Sequence, residues 1–172
     1  TSNDDFRPSS FLGKSEEITK KSIDESEKIV NLFKKIIDGK QNLRLPRAVL
    51  YWDSSSCSGS FERKTVELFT ALEALFTTDT SEISYKLANR ASWFIERSDA
   101  DRRRQVFDEI RKGYDLRSKI VHGDDYSKKF DLELVKKLHS LTRDVILKML
   151  NDGELIRKLV NRDKELINDF YS

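Results

Sequence analysis

The chain has few of the residues that break helices or cross-link chains. Among its 172 residues there are six Gly, two Pro and one Cys. So few Gly and Pro disfavour a turn-rich β protein and favour helices. The single cysteine, Cys57, excludes an internal disulfide and any thiolate-rich metal site, which fits a reducing cytoplasm.

Long hydrophobic runs and an excess of one charge are also missing. No apolar run approaches the roughly 20 residues that span a bilayer, and no signal-peptide pattern opens the chain, so no membrane partner is expected. The 32 Lys and Arg residues almost balance the 30 Asp and Glu residues, for a net charge of +2. Any attraction to nucleic acid must therefore come from local patches.

What is present is helical spacing of apolar residues. Residues 1–14 are polar and predict a flexible segment, and 15–172 predict a single helical domain. The predicted helices are Glu16 to Asp38, Phe61 to Phe76, Glu82 to about Glu96, a cap at Asp99 or Asp101 followed by helix through Val121, Asp131 to about Asn151, and Glu154 to Phe170. LPRAVLYW predicts one or two helical turns started by Pro46, and DSSSCSGS predicts a loop. The fold class is an all-α bundle, a core of four or five helices with flanking N- and C-terminal helices.

Two arginines occupy positions where an aliphatic residue is expected. On a helical wheel Arg117 falls inside the apolar stripe that contains Val106, Ile110, Tyr114 and Val121. Arg90 lies beside apolar residues of the preceding helix in the same way. A buried guanidinium keeps its charge and needs an anion or several acceptors. Glu73 is a suitable partner for Arg90, if Arg90 is structural.

His122 stands at the C-terminal end of the helix that carries Arg117. The following Gly123 is placed to adopt a left-handed cap, and Lys119 lies between the two residues. Because a helix C-terminus carries partial negative charge, it favours a protonated imidazole, which suits a proton donor. His139 does not belong to a comparable pattern and is interpreted as a residue on the flank of a helix.

These residues form a pattern that resembles a known family. The segment RSKIVH (117–122) resembles the Arg-x4-His motif of HEPN domains. Together with ALEALF (71–76), EISYKLANRASWF (82–94) and FDEIRKGYDLRSKIVHGD (107–124), it resembles the Apea-like branch of that superfamily, over roughly residues 59–150. The resemblance implies a dimer in which two copies of the motif form one metal-independent endoribonuclease site.

The resemblance also implies roles for individual residues and partners. Arg117 and His122 would be the catalytic pair, with Ser118 where many active members carry Asn, Asp or His. Our own prediction adds Ser118, Lys119, Arg90, Glu73 and Tyr114 as supporting or RNA-binding positions. The expected partners are RNA, a second copy of the chain and an antitoxin or other regulator, in a toxin–antitoxin or antiviral setting.

The residue types suit cleavage through the 2′-hydroxyl of RNA. An imidazole serves as acid or base near neutral pH, and a guanidinium offers paired donors to the phosphate. No cofactor or metal is expected, because two distant histidines and one cysteine do not form a zinc set. The basic run DADRRRQ (99–105), with Arg111 and Lys112, is a candidate RNA guide. Two alternatives stay open: a non-catalytic RNA-binding or protein-interaction module, and a purely structural bundle with Arg117 locked in an ion pair.

Overall fold

The described part of the chain is made of helices. The computed structural model describes residues 44–77 and 81–152 and the single positions 31 and 34. Residues 44–77 and 81–152 form five α-helices: α1 (Arg44–Cys57), α2 (Phe61–Phe76), α3 (Ile83–Ile95), α4 (Ala100–His122) and α5 (Leu132–Asn151), with a 3-10 turn at Ser127–Lys129. Positions 31 and 34 are helical as well. The described residues contain no strand, so the all-α prediction is confirmed. The segment predicted to be flexible, the first predicted helix except for its positions 31 and 34, and the last predicted helix all lie outside the described residues.

Capping residues place the ends of the helices. The Asp99 carboxylate accepts a hydrogen bond from the Arg102 amide at 2.9 Å, so α4 is capped by Asp99 and not by Asp101. Asp131 caps α5 in the same way. At the other end of α4, Gly123 adopts a φ of 74°, the left-handed cap that the sequence predicts.

Helix α1 is longer than the sequence predicted. One or two turns followed by a serine-rich loop were expected, but a single helix of 14 residues begins at Arg44 and continues through Cys57. The hydroxyls of Ser55 and Ser56 donate to the Trp52 carbonyl at 2.6 and 3.1 Å. Serine often competes with helix through such side-chain bonds, but here they are made to a carbonyl of the helix itself. The loop prediction was therefore wrong for the first half of that segment.

A close approach in the middle of α4 joins three helices. A Cβ added at Gly113 would lie 2.5 Å from Leu138 Cδ1 of α5 and 2.7 Å from Phe69 Cζ of α2. Only glycine leaves room for both side chains. The core around this point is formed by large residues with no solvent exposure, among them Leu68, Phe69, Leu72, Leu87, Ile110, Leu116, Leu138 and Val135.

One residue predicted to face the core does not. Val121 is 50% exposed. Along α4 the buried face passes from Val106 and Ile110 to Gly113 and Leu116, so Val121 comes out on the solvent side of the last turn. None of the helices within 44–77 and 81–152 combines the length and the apolar character needed to cross a membrane.

Candidate functional site

Helices α2 and α4 bring three of the predicted site residues together. Arg117 Nη2 of α4 lies 3.6 Å from Glu73 Oε1 of α2, and both side chains keep about a fifth of their surface in solvent, at 22% and 23%. The Arg117 guanidinium carbon lies 5.5 Å from the centre of the Tyr114 ring, one helical turn earlier. The Tyr114 phenol interacts with Glu73, whose carboxylate raises the pKa of the phenol. A carboxylate, a phenol and a guanidinium thus form one cluster, which we call the Glu73–Tyr114–Arg117 cluster.

The ion pair in this cluster is incomplete. A separation of 3.6 Å is longer than a charge-assisted hydrogen bond between nitrogen and oxygen. In addition, Glu73 Oε1 and Arg117 Nε are both buried and have no hydrogen-bond partner among the described residues. The guanidinium is therefore held close to a carboxylate while part of its donor capacity is unused.

Tyr114 is fixed as a neutral donor within the cluster. Burial raises the pKa of its phenol, and the negative charge of Glu73 and the hydrogen bond to it act in the same direction. Arg117 opposes them. The raised pKa keeps the phenol protonated well above neutral pH, so it faces the carboxylate as a neutral group.

The second anomalous arginine has a different environment. Arg90 is only 6% exposed, and its Nη1 donates to the Phe76 carbonyl at 2.7 Å, in the last turn of α2. Arg44 Nη2 donates to the next carbonyl, that of Thr77, also at 2.7 Å. These two side chains satisfy the C-terminal carbonyls of α2, which lack partners within the helix. Glu73, proposed from the sequence as the partner of Arg90, lies beside Arg117.

His122 is separated from this cluster within one chain. It is the last residue of α4 and is exposed. Five positions along an α-helix turn the side-chain direction by about 140°, and no hydrogen bond, ion pair or ring contact joins Arg117 to His122 in the described residues. Between them Ser118 is half-buried, and Lys119 Nζ donates to the Asp125 carbonyl at 3.2 Å. The chain presents the two motif residues at different points of its surface.

The surface beside the cluster is open. A shallow depression of about 460 Å³ lies between the start of α3 and the middle of α4, lined by Glu82, Ile83, Ser84, Tyr85, Arg111 and Tyr114. A purely structural bundle was expected to lock Arg117 in an ion pair with no open cleft nearby. The observed pair is partly exposed, and Tyr114 connects it to this depression.

The basic run at the start of α4 divides into two parts. Arg103 lies 3.8 Å above the Trp93 ring and donates to the Arg97 carbonyl at 3.0 Å, so it joins α4 to the end of α3. Arg102 and Arg104 are exposed, as are Arg111 and Lys112 further along. Within this basic stretch, the exposed side chains can contact an RNA backbone without disturbing the bundle.

A second cluster, formed by α1 and α5, was not predicted. Ser56 Oγ lies 2.8 Å from His139 Nε2, and the Trp52 ring stacks on the imidazole at 5.1 Å between centroids. Trp52 Nε1 also donates to the His139 carbonyl at 3.2 Å. Burial lowers the pKa of His139, helped by the positive charges of Lys64 and Arg143. No local signal marks these residues in the sequence, because they come from helices far apart in the chain.

Neither metal-ligand geometry nor similarity to other proteins adds to this description. Among the described residues, no group of three or more His, Cys, Asp and Glu side chains is arranged to hold a metal ion. Comparison with family models, with curated proteins and with solved structures gave no match to the chain.

Proposed function

We propose that this protein is a metal-independent endoribonuclease of the HEPN type, with Arg117 and His122 as its catalytic residues. The observation that supports this best is the state of Arg117. Its guanidinium stands on the packing side of α4, yet it is partly exposed, 3.6 Å from its counter-ion, and its Nε has no hydrogen-bond partner among the described residues. A residue kept only for stability would be expected to use its donors fully.

In this proposal the two side chains act on one phosphodiester. Arg117 binds the non-bridging oxygens and stabilises the negative charge that develops on them. His122 transfers a proton, either from the 2′-hydroxyl that attacks phosphorus or to the 5′-oxygen that leaves. DNA is not a substrate, because it lacks the 2′-hydroxyl.

The proposed site includes a second copy of the chain. Arg117 and His122 leave α4 in directions about 140° apart, so one copy presents them poorly to a single phosphate. A dimer with two-fold symmetry brings two motifs to one cleft, where Arg117 of one copy and His122 of the other act on the same phosphate. An RNase of this kind must be restrained in the cell, which fits a cytoplasmic toxin or antiviral protein with an antitoxin or regulatory partner.

Cleavage of a labelled RNA in EDTA tests the proposal. The wild type should cut and leave 2′,3′-cyclic phosphate ends, and a 2′-deoxy substitution at the cut site should block the reaction. His122→Ala and Arg117→Ala should each lower the rate by about 10²–10⁴-fold, because each removes a group that acts in the transition state. His139→Gln, which changes the other histidine, should cut like the wild type. No cleavage by the wild type, or unchanged cleavage by His122→Ala, would refute the proposal.

A non-catalytic RNA-binding module is the second candidate. It is favoured by the separation of Arg117 from His122 and by the exposed Arg104, Arg111 and Lys112 on α4. In that case the wild type binds RNA without cutting it, and His122→Ala binds as the wild type does.

A further inference from the structure

Glu73 occupies a position that the proposed chemistry does not yet explain. Its carboxylate lies 3.6 Å from the one guanidinium that the proposal assigns to phosphate. The Tyr114 phenol interacts with the carboxylate, and the Tyr114 ring lies 5.5 Å from the guanidinium carbon. The Phe69 ring in turn packs edge-on against Tyr114 at 5.6 Å between centroids, which fixes the phenol. Glu73 is thus held in place by the bundle.

We propose that Glu73 is a positioning residue that Tyr114 holds against Arg117, and that an RNA phosphate displaces this carboxylate when RNA binds. The inference rests on the proposed function for the identity of the ligand. Glu73 does not contact the reacting atoms. It keeps the guanidinium near the surface of the bundle and compensates its charge in the free protein.

The geometry lowers the cost of this exchange. A carboxylate and a phosphate compete for the same planar donors of an arginine. Because Arg117 Nη2 and Glu73 Oε1 are 3.6 Å apart, little hydrogen-bond energy is lost when the pair separates. Arg117 Nε is buried and has no partner within the described part of the chain, and a small movement of the guanidinium toward solvent gives it an acceptor on the phosphate.

Removing the negative charge of Glu73 should therefore tighten RNA binding. Glu73→Gln keeps the size of the side chain and an oxygen that can accept from Tyr114, but it no longer competes with phosphate. A structural role alone predicts the opposite, since loss of a partly buried ion pair loosens Arg117 and weakens binding.

The chain offers a matched control on the same helix. Glu67 of α2 also pairs with an arginine, Arg63, at 2.8 Å, and its side chain is 13% exposed. Glu67→Gln removes the same charge and leaves the Glu73–Tyr114–Arg117 cluster intact. It therefore corrects for the change in net charge of the whole protein.

The test measures binding of a single-stranded RNA that is 2′-O-methylated at every position and so cannot be cut through the 2′-oxygen. Fluorescence anisotropy with the full chain should give a Kd for Glu73→Gln that is roughly 3–10-fold lower than for the wild type, with a smaller gain at high salt. Glu67→Gln should stay within about twofold. In an Arg117→Ala background, Glu73→Gln should give no gain, because the effect passes through Arg117.

Several outcomes would overturn the inference. Unchanged or weaker binding by Glu73→Gln, an equal gain in Glu67→Gln, a gain that persists without Arg117, or no RNA binding by any of these proteins would each do so. Thermal unfolding followed by circular dichroism identifies a variant that has failed to fold, and Glu73→Asp then tests the same contact with the charge retained and should not tighten binding. Absence of cleavage by the wild type, with tighter binding by Glu73→Gln, would refute the nuclease and leave the inference standing.

Discussion

Two arginines that look alike in the sequence have different environments in the fold. Arg90 and Arg117 both interrupt an apolar stripe, but Arg90 is 6% exposed and donates to a backbone carbonyl, whereas the Arg117 side chain is 22% exposed beside a carboxylate. The sequence places both on packing faces. It does not say which helices become neighbours, and for that reason Glu73 was assigned to Arg90 although it lies beside Arg117.

This difference predicts that substitution of Arg90 mainly affects stability, whereas substitution of Arg117 mainly affects RNA binding. Arg90→Met removes a buried donor from the last turn of α2 and leaves the Phe76 carbonyl without it, which should lower the free energy of unfolding by about 1–3 kcal/mol. Urea denaturation measures this loss. Among molecules that remain folded, the Kd for RNA should be unchanged. Arg117→Met is the comparison variant and should lose less stability but weaken RNA binding. If Arg90→Met is fully stable and fails to bind RNA, Arg90 belongs to the binding surface.

At the scale of the elements, apolar periodicity and capping residues were sufficient to predict the positions of four of the five described helices. Asp99, Asp131 and Gly123 end or begin helices where the pattern predicts. Helix α1 was underestimated because its serines indicate a loop when read alone. The packing of Trp52 on α5 keeps this turn helical, and the serine hydroxyls find an acceptor in the Trp52 carbonyl. Such a contact between distant helices overrides local propensity and leaves no mark in the sequence.

The packing of α1 on α5 should depend on pH. His139 has a folded pKa below its ordinary value of 6.5, so the unfolded chain takes up a proton first as the pH falls. The contribution of His139 to stability is therefore complete above about pH 6.5 and is lost as the pH falls below it toward the folded pKa. The loss should be a fraction of the roughly 1.4 kcal/mol that one pKa unit represents, because His139 is only partly buried and solvent screens its charge.

Urea midpoints at about pH 7.5 and 5.5 measure this dependence, on either side of the ordinary histidine pKa. Between these two pH values, the free energy of unfolding should fall less for His139→Gln than for the wild type. His122→Gln is the control, because it changes the other histidine and leaves the contact with Ser56 intact. An equal loss in the wild type and His139→Gln would contradict the linkage.

At the scale of the whole molecule, the bundle separates the two residues of the motif. One helix carries both, but its geometry sends Arg117 toward α2 and His122 into solvent. The sequence identifies these residues by their types and their spacing. It does not contain the arrangement of a second copy, which depends on which surfaces of the folded bundle fit each other. The proposed activity therefore belongs to an assembly, and its test must be made on an assembly.

Mixing inactive variants provides that test. Arg117→Ala retains His122, and His122→Ala retains Arg117, so a mixed dimer holds one of each in the proposed shared cleft. Each variant alone should be inactive, and an equimolar mixture that has exchanged subunits should recover a fraction of the cleavage rate. The fraction stays below one half, because random pairing makes at most about half of the dimers mixed. Copurification of two differently tagged subunits from the same mixture shows that exchange has taken place. If the mixture remains inactive while exchange is demonstrated, Arg117 and His122 act on a phosphate within one chain, and the shared cleft is wrong.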